Sequence, residues 1–245
     1  MRSTGKVAIV TGGSRGIGRA VAVRLAEDGF AVVVGYAGHQ AAANEVVEAI
    51  HASGGRALAM AAEVADEQAV ADLFRVTTEA FGGIDAVVNS AGEMRLARIA
   101  ELDLSQLDQL YRTNIRGTFV VNQQAARHVR AGGAVVNLSS SVVGLAFPTY
   151  GAYAASKSAV EALSLVLARE LRGRDVTVNA VAPGPTATDL FFEGKDDATI
   201  QRLASQAPLE RLGTPGDIAA VIAFLVGSDG HWVNGQVIRA NGGIV

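Results

Sequence analysis

Cysteine is absent from the 245 residues, which removes disulfides, thiolate nucleophiles, cysteine-ligated zinc and iron–sulfur clusters at once. Charge is scarce and balanced: Asp, Glu, Lys and Arg make up 18% of the chain and the formal net charge is −3. Such a chain has no basic field to draw in a phosphate backbone, so no nucleic-acid partner is expected. Long apolar runs are missing too. The longest, such as 218–226, are about half a membrane span, and no membrane association is expected. The first apolar run, 7–10, comes too early and is too short for a signal peptide. Only five prolines occur, and no repeat or Pro/Ser linker divides the chain, so residues 1–245 read as a single domain. Apolar residues are abundant instead, at 49%, enough to fill a full core. A soluble, cytoplasmic, globular protein is expected.

Short Val/Ile/Ala runs alternate with longer amphipathic segments. Strands are expected at 6–11, 31–36, 57–62, 85–89, 134–139, 176–181 and 236–240. Helices are expected at 16–28, 40–52, 66–81, 104–111, 117–129, 153–171 and 217–225. Strands that are apolar throughout belong to sheets covered on both faces. The alternation therefore predicts an α/β fold, a Rossmann-type doubly wound parallel sheet with helices on both faces. Residues 186–214 break the pattern, and their adjacent Phe191 and Phe192 point to a substrate flap rather than solvated filler.

The first strand runs into Thr11-Gly12-Gly13-Ser14-Arg15-Gly16-Ile17-Gly18 and a helix follows. Glycines there allow a tight turn and let backbone N–H groups approach a pyrophosphate at the helix N-terminus. An NAD site places a carboxylate roughly 20 residues further on, where it accepts from the ribose. Here the second strand ends Val34-Gly35-Tyr36-Ala37-Gly38-His39, without an acid. That removes a repulsion against a 2′-phosphate, which Arg15 can pair with and His39 can assist. The cofactor expected is NADP(H).

Tyr153-Ala154-Ala155-Ser156-Lys157 puts a phenol and an ammonium at i and i+4 on one helix face. Ser140 closes a strand, where open α/β sheets bind ligands. Bringing a tyrosine from about 10 to about 7 requires roughly 4 kcal/mol. An ammonium about 5 Å away contributes about 3 kcal/mol at an effective dielectric of about 20. A cationic nicotinamide ring close by would provide the rest, so lysine and cofactor together are expected to depress the Tyr153 pKa, and lysine alone nearly suffices.

Over essentially its whole length the chain resembles the short-chain dehydrogenase/reductase family, most of all its 3-oxoacyl-acyl-carrier-protein reductase-like branch. The matching motifs are residues 11–18, Asn89-Ser90-Ala91-Gly92, Asn114, Ser140, Tyr153-x-x-x-Lys157 and Pro183-Gly184. The resemblance implies that Tyr153 protonates a carbonyl oxygen as hydride arrives, while Ser140 hydrogen-bonds that oxygen. It implies that Lys157 lowers the tyrosine pKa and binds the nicotinamide ribose, and that Asn114 holds a water reconnecting Lys157 to solvent. It implies a cofactor lined by Gly12, Ser14, Arg15, Gly16, Ile17, Gly18, Tyr36, His39, Glu63, Val64, Asn89, Ala91, Gly92, Pro183, Gly184, Thr186 and Thr188, with Tyr153 and Lys157. No metal takes part, since the proton donor replaces a Lewis acid. Two departures stand out: Ser90 replaces the family's second Asn, and Glu63-Val64 replaces Asp-Val near the adenine.

These readings converge on an NADPH-dependent reductase of a ketone or 3-oxoacyl carbonyl. The rivals are an acyl-carrier-protein reductase of fatty-acid synthesis, an alcohol or sugar dehydrogenase, and a silent cofactor sensor, against which the full Asn114–Ser140–Tyr153–Lys157 set argues. An acidic carrier would need cations near the site, for which Arg127, Arg130, Arg172 and Arg174 are candidates; as helix-end arginines they also serve as ordinary dipole partners. Glu93, Val142, Val143, Phe147, Tyr150, Phe191 and Phe192 are expected to line the pocket for a small-molecule ketone or acyl thioester. The helix at 153–171 is apolar nearly all round, which predicts burial against another subunit. The family resemblance implies a homotetramer.

Overall fold

The computed structural model describes residues 5–245. Strand β1 (Val7–Thr11) is buried at every position and pairs in parallel with β2 (Ala31–Tyr36) on one side and β4 (Ile84–Asn89) on the other. Beyond β2 lies β3 (Arg56–Ala61); beyond β4 follow β5 (Val129–Leu138), β6 (Val176–Pro183) and β7 (Val237–Ala240). Among the described residues this gives one seven-stranded sheet of order β3-β2-β1-β4-β5-β6-β7, every pair parallel. The strand order reverses between β1 and β4, so their C-terminal ends open a crevice there.

Alternation along each strand sorts side chains between two cores. Ala8, Val10, Val32, Val34, Val136 and Leu138 join the core under α1 (Gly16–Glu27), α2 (Gln40–Ala52) and α10 (Pro215–Val226). Ile9, Val33, Val87 and Val135 join the opposite core under α3 (Glu67–Phe81), α5 (Gly117–His128) and α7 (Gly151–Glu170). The last helices are α4 (Leu104–Tyr111), α6 (Val142–Leu145), α8 (Asp189–Phe192) and α9 (Asp197–Gln206).

Four elements depart from the sequence expectation. Strand β5 starts at Val129, well before residue 134, because Ile84 pairs with Val129 across a register shift and Arg130 is held by the Asp85 carboxylate at 2.5 Å. The stretch 112–116, left between two helices, is a π-turn that makes α4 and α5 continuous. Helix α7 begins at Gly151, two positions before the tyrosine. The irregular segment 186–214 contains α8 and α9. Asp196 caps α9 by accepting from Thr199 N at 2.8 Å, and Leu203 and Ala204 are buried, so the paired aspartates mark a helix start.

Candidate active site

At the C-terminal ends of the strands one cavity of about 380 Å³ runs from the glycine loop to α8. Its first half rests on the loop after β1. A Cβ on Gly18 would lie 2.2 Å from the Gly12 carbonyl oxygen, and one on Gly12, at φ +62°, 2.9 Å from the Ala91 backbone. Those contacts leave room for hydrogen only. Helix α1 has no side-chain cap and no acid in its first turn, unlike α3 and α10, whose Asp66 and Thr214 satisfy their own first-turn N–H groups. The free N–H groups and dipole of α1 thus face the cavity, ready for an anion. Arg15 is exposed on this wall, with Tyr36, His39, Glu63 and Val64 beside it. Glu63 has turned to accept from Ala65 N at 3.3 Å.

In the second half, Ser140 at the end of β5 faces Tyr153 and Lys157 on α7. Desolvation of the Tyr153 hydroxyl pushes its pKa up to about 12, against a hydrogen bond from Ser140 that pulls it down. Lys157 thus does not by itself produce the expected depression. The Lys157 ammonium stands 5.8 Å from the phenol ring centre, donates to the Leu138 carbonyl at 2.8 Å, and is itself lowered to about 8 by burial. Desolvation outweighs the Coulomb attraction counted from spacing alone.

Asn114, in the π-turn, is fully buried. Its Oδ1 accepts from Glu93 N at 2.8 Å, and its Nδ2 donates to Glu93 O at 2.9 Å and to Ser156 Oγ at 3.0 Å. Both amide hydrogens are thereby used, and the side chain clamps the loop after β4 to α7. Glu93 receives a further bond from Thr113 Oγ1 at 2.9 Å.

Gly12, Ser14, Arg15, Gly16, Ile17, Gly18, Ala91, Gly92, Pro183, Gly184, Thr186 and Thr188 all line the cavity, as do Glu93, Val142, Phe147, Tyr150 and Phe191. Asn89, Val143 and Phe192 are not among its lining residues. Asn89 lies beneath the floor, its Oδ1 accepting from Thr11 Oγ1 at 2.7 Å and its Nδ2 donating to Thr118 at 3.1 Å. Phe192 is 40% exposed. Met94, Leu145, Asp189, Leu190 and Leu203 also line the wall. No local spacing marks them, because turns far apart in sequence bring them together. Arg127, Arg130, Arg172 and Arg174 lie at the N-terminal edge of the sheet, away from this cavity. Arg174 is engaged there with the Ala126 and Val129 carbonyls. Among the described residues, no group of three or more His, Asp or Glu side chains could hold a metal ion, and no helix is long and apolar enough to cross a membrane.

The family model described as Enoyl-(Acyl carrier protein) reductase matches residues 12–245. A short-chain type dehydrogenase/reductase of Picea abies is 45% identical over 98% of this chain and 93% of its own length. An Arabidopsis thaliana protein named NADPH-dependent aldehyde reductase-like protein, chloroplastic, is 40% identical over 98% of this chain and 94% of its own. The crystal structure of a short chain dehydrogenase from Burkholderia cenocepacia in complex with NADP superposes with a TM-score of 0.93 at 40% identity, covering 100% of this chain and 99% of that one. With the glycine loop, the clamped asparagine and the serine–tyrosine–lysine cluster gathered at the C-terminal ends of the strands, the chain belongs to the short-chain dehydrogenase/reductase family of oxidoreductases.

Proposed function

We propose that this protein is an NADPH-dependent carbonyl reductase, converting a ketone or 3-oxoacyl group to the secondary alcohol. The observation that carries the reading is Tyr153, a phenol with a desolvated hydroxyl and a hydrogen bond from Ser140, set where the glycine-loop half of the cavity meets its apolar half. NADPH, when bound, supplies the hydride. Gly12, Gly16 and the first turn of α1 would hold its pyrophosphate, Arg15 its 2′-phosphate, and Glu63 and Val64 its adenine. The glycine contacts and the uncapped helix start support this fit, as do the NADP complex and the NADPH-dependent relative.

Held at about 12, Tyr153 keeps its proton at neutral pH and donates it to the oxygen that gains charge during reduction. Ser140 hydrogen-bonds that same oxygen. Lys157 is largely charged near pH 7 and sits one helical turn from the phenol, placed to orient a ribose and to help return a proton to Tyr153. Asn114 serves chiefly as the clamp described above; a water on the relay to Lys157 would use the remaining lone pair of its Oδ1. Val142, Leu145, Phe147, Leu190 and Phe191 make the substrate wall apolar, which supports a ketone over a sugar. We assign segment 186–214 as the substrate flap. We also propose assembly into a homotetramer, supported by the exposed apolar side chains Phe119 on α5 and Leu165 and Val166 on α7.

The test follows reduced-cofactor absorbance with a simple ketone and an acetoacetyl thioester, NADPH and NADH side by side. NADPH consumption is expected, falling about 10³-fold in Tyr153→Phe. A preference for NADH would sink the assignment of Arg15, and retained activity in Tyr153→Phe would sink the assignment of the proton donor.

A further inference from the structure

The single turn of α8 carries Phe191 into the cavity wall, and its neighbours hold Phe191 at every polar point of its backbone. Its N–H is bonded by the Thr188 hydroxyl at 3.2 Å. Its carbonyl accepts from Lys195 Nζ at 2.7 Å. The same ammonium lies 5.0 Å from the centre of the Phe191 ring, within cation–π reach, and Phe192 meets that ring edge-on with centroids 5.5 Å apart. A four-residue helix has too few internal hydrogen bonds to hold its own shape, so contacts at its ends decide where the Phe191 ring stands. Lys195 is half-buried over α8 and is not among the residues lining the cavity. A lysine engaged only with solvent would not combine a carbonyl bond, a ring contact and partial burial.

We infer that Lys195 is a positioning residue: it pins Phe191 as one wall of the substrate end and so sets how well the enzyme holds a large aromatic ketone. Carbonyl bond and ring contact act on the same residue, so loss of the ammonium frees both the backbone and the ring. A small ketone that does not reach Phe191 is indifferent to the change. The chemical step is also indifferent, since Lys195 touches neither Tyr153 nor Ser140.

Two readouts test this with the full-length protein. In the first, amide hydrogen exchange over residues 188–196 quickens about tenfold in Lys195→Met and returns most of the way in Lys195→Arg, which keeps the cation. Unchanged exchange in Lys195→Met overturns the proposal. Should that variant fail to fold, Lys195→Gln carries the same measurements. The second readout rests on the carbonyl-reductase reading and compares a bicyclic aryl ketone with a small 3-oxo ester. Lys195→Met raises KM for the aryl ketone about fivefold with kcat little changed, shifts the small ester less than about twofold, and loses its effect in a Phe191→Leu background. An equal rise in KM for both ketones, or a fall in kcat alone, overturns it. If the wild type reduces neither ketone, the carbonyl-reductase reading fails and the exchange result alone decides the role of Lys195.

Discussion

The phenol of Tyr153 and the ammonium of Lys157 are displaced in opposite directions by one cause, the removal of water from the base of the cavity. Lys157 falls from 10.5 to about 8, so its neutral form is the one favoured by folding. Between those values the unfolded chain binds more protons at this site than the folded one, and stability must rise with pH. The gain is about 3 kcal/mol if fully realised. Tyr153, raised to about 12, works the other way, but only above about pH 10, where unfolded tyrosine begins to ionise. The window from pH 8 to about 10 therefore belongs to Lys157. Urea midpoints at pH 7.5 and 9.5 are expected to climb in the wild type, and Lys157→Met is expected to flatten that climb. A wild-type midpoint that falls over this range would contradict the burial assigned to the ammonium.

At the scale of elements, the site depends on how α5 and α7 are fastened to the sheet. Asn137, wholly buried next to the C-terminal end of β5, exchanges two hydrogen bonds with Asn122 of α5 at 2.8 and 3.0 Å and donates to Ser164 of α7 at 3.0 Å. Asn137→Ala leaves buried partners unsatisfied and is expected to cost about 2–4 kcal/mol, measurable as a lower denaturation midpoint. Gly18→Ala is expected to be worse for cofactor affinity than for folding, since the α1 N-terminus must shift to relieve its contact with Gly12; cofactor titration against thermal melting separates the two. Much of this frame was legible in the sequence. β1, β2 and the core of β6 announce themselves as unbroken apolar runs, and the Tyr153–Lys157 spacing shows one helix face. The early half of β5 was not, because Arg130-Ala131-Gly132-Gly133 carries no apolar run, and the partner that holds its arginine, Asp85, is distant in sequence. The π-turn at Asn114 was equally hidden, since its bonds lead to Glu93 and Ser156 rather than along the helix. The upward pull on the Tyr153 pKa was hidden for a related reason: spacing gives the distance to a charge and says nothing of the water lost.

For the molecule as a whole, the apolar circumference of α7 is only half used by the chain itself. Val160, Ser164, Leu167 and Ala168 are buried, whereas Val166 remains 55% exposed and Phe119 on α5 58%. Sedimentation of the wild type is expected to show a multiple of the chain mass. Val166→Asp combined with Phe119→Asp should lower that mass while the isolated chain keeps its helical content by circular dichroism. A wild type that sediments as a single chain at micromolar concentration would remove the tetramer. At the other side of the fold, Thr186 and Gly213 form a parallel bridge, reinforced by bonds from Ala187 N to Gly213 O at 2.9 Å and from Gly213 N to Pro185 O at 2.8 Å. The two feet of segment 186–214 thus stand together whatever lies between them. Closing a loop whose ends already meet carries little entropic dependence on its length. Under the flap assignment proposed above, a change in the length of the chain between these feet costs little closure entropy, which makes the substrate end the part of the molecule where insertions are best tolerated.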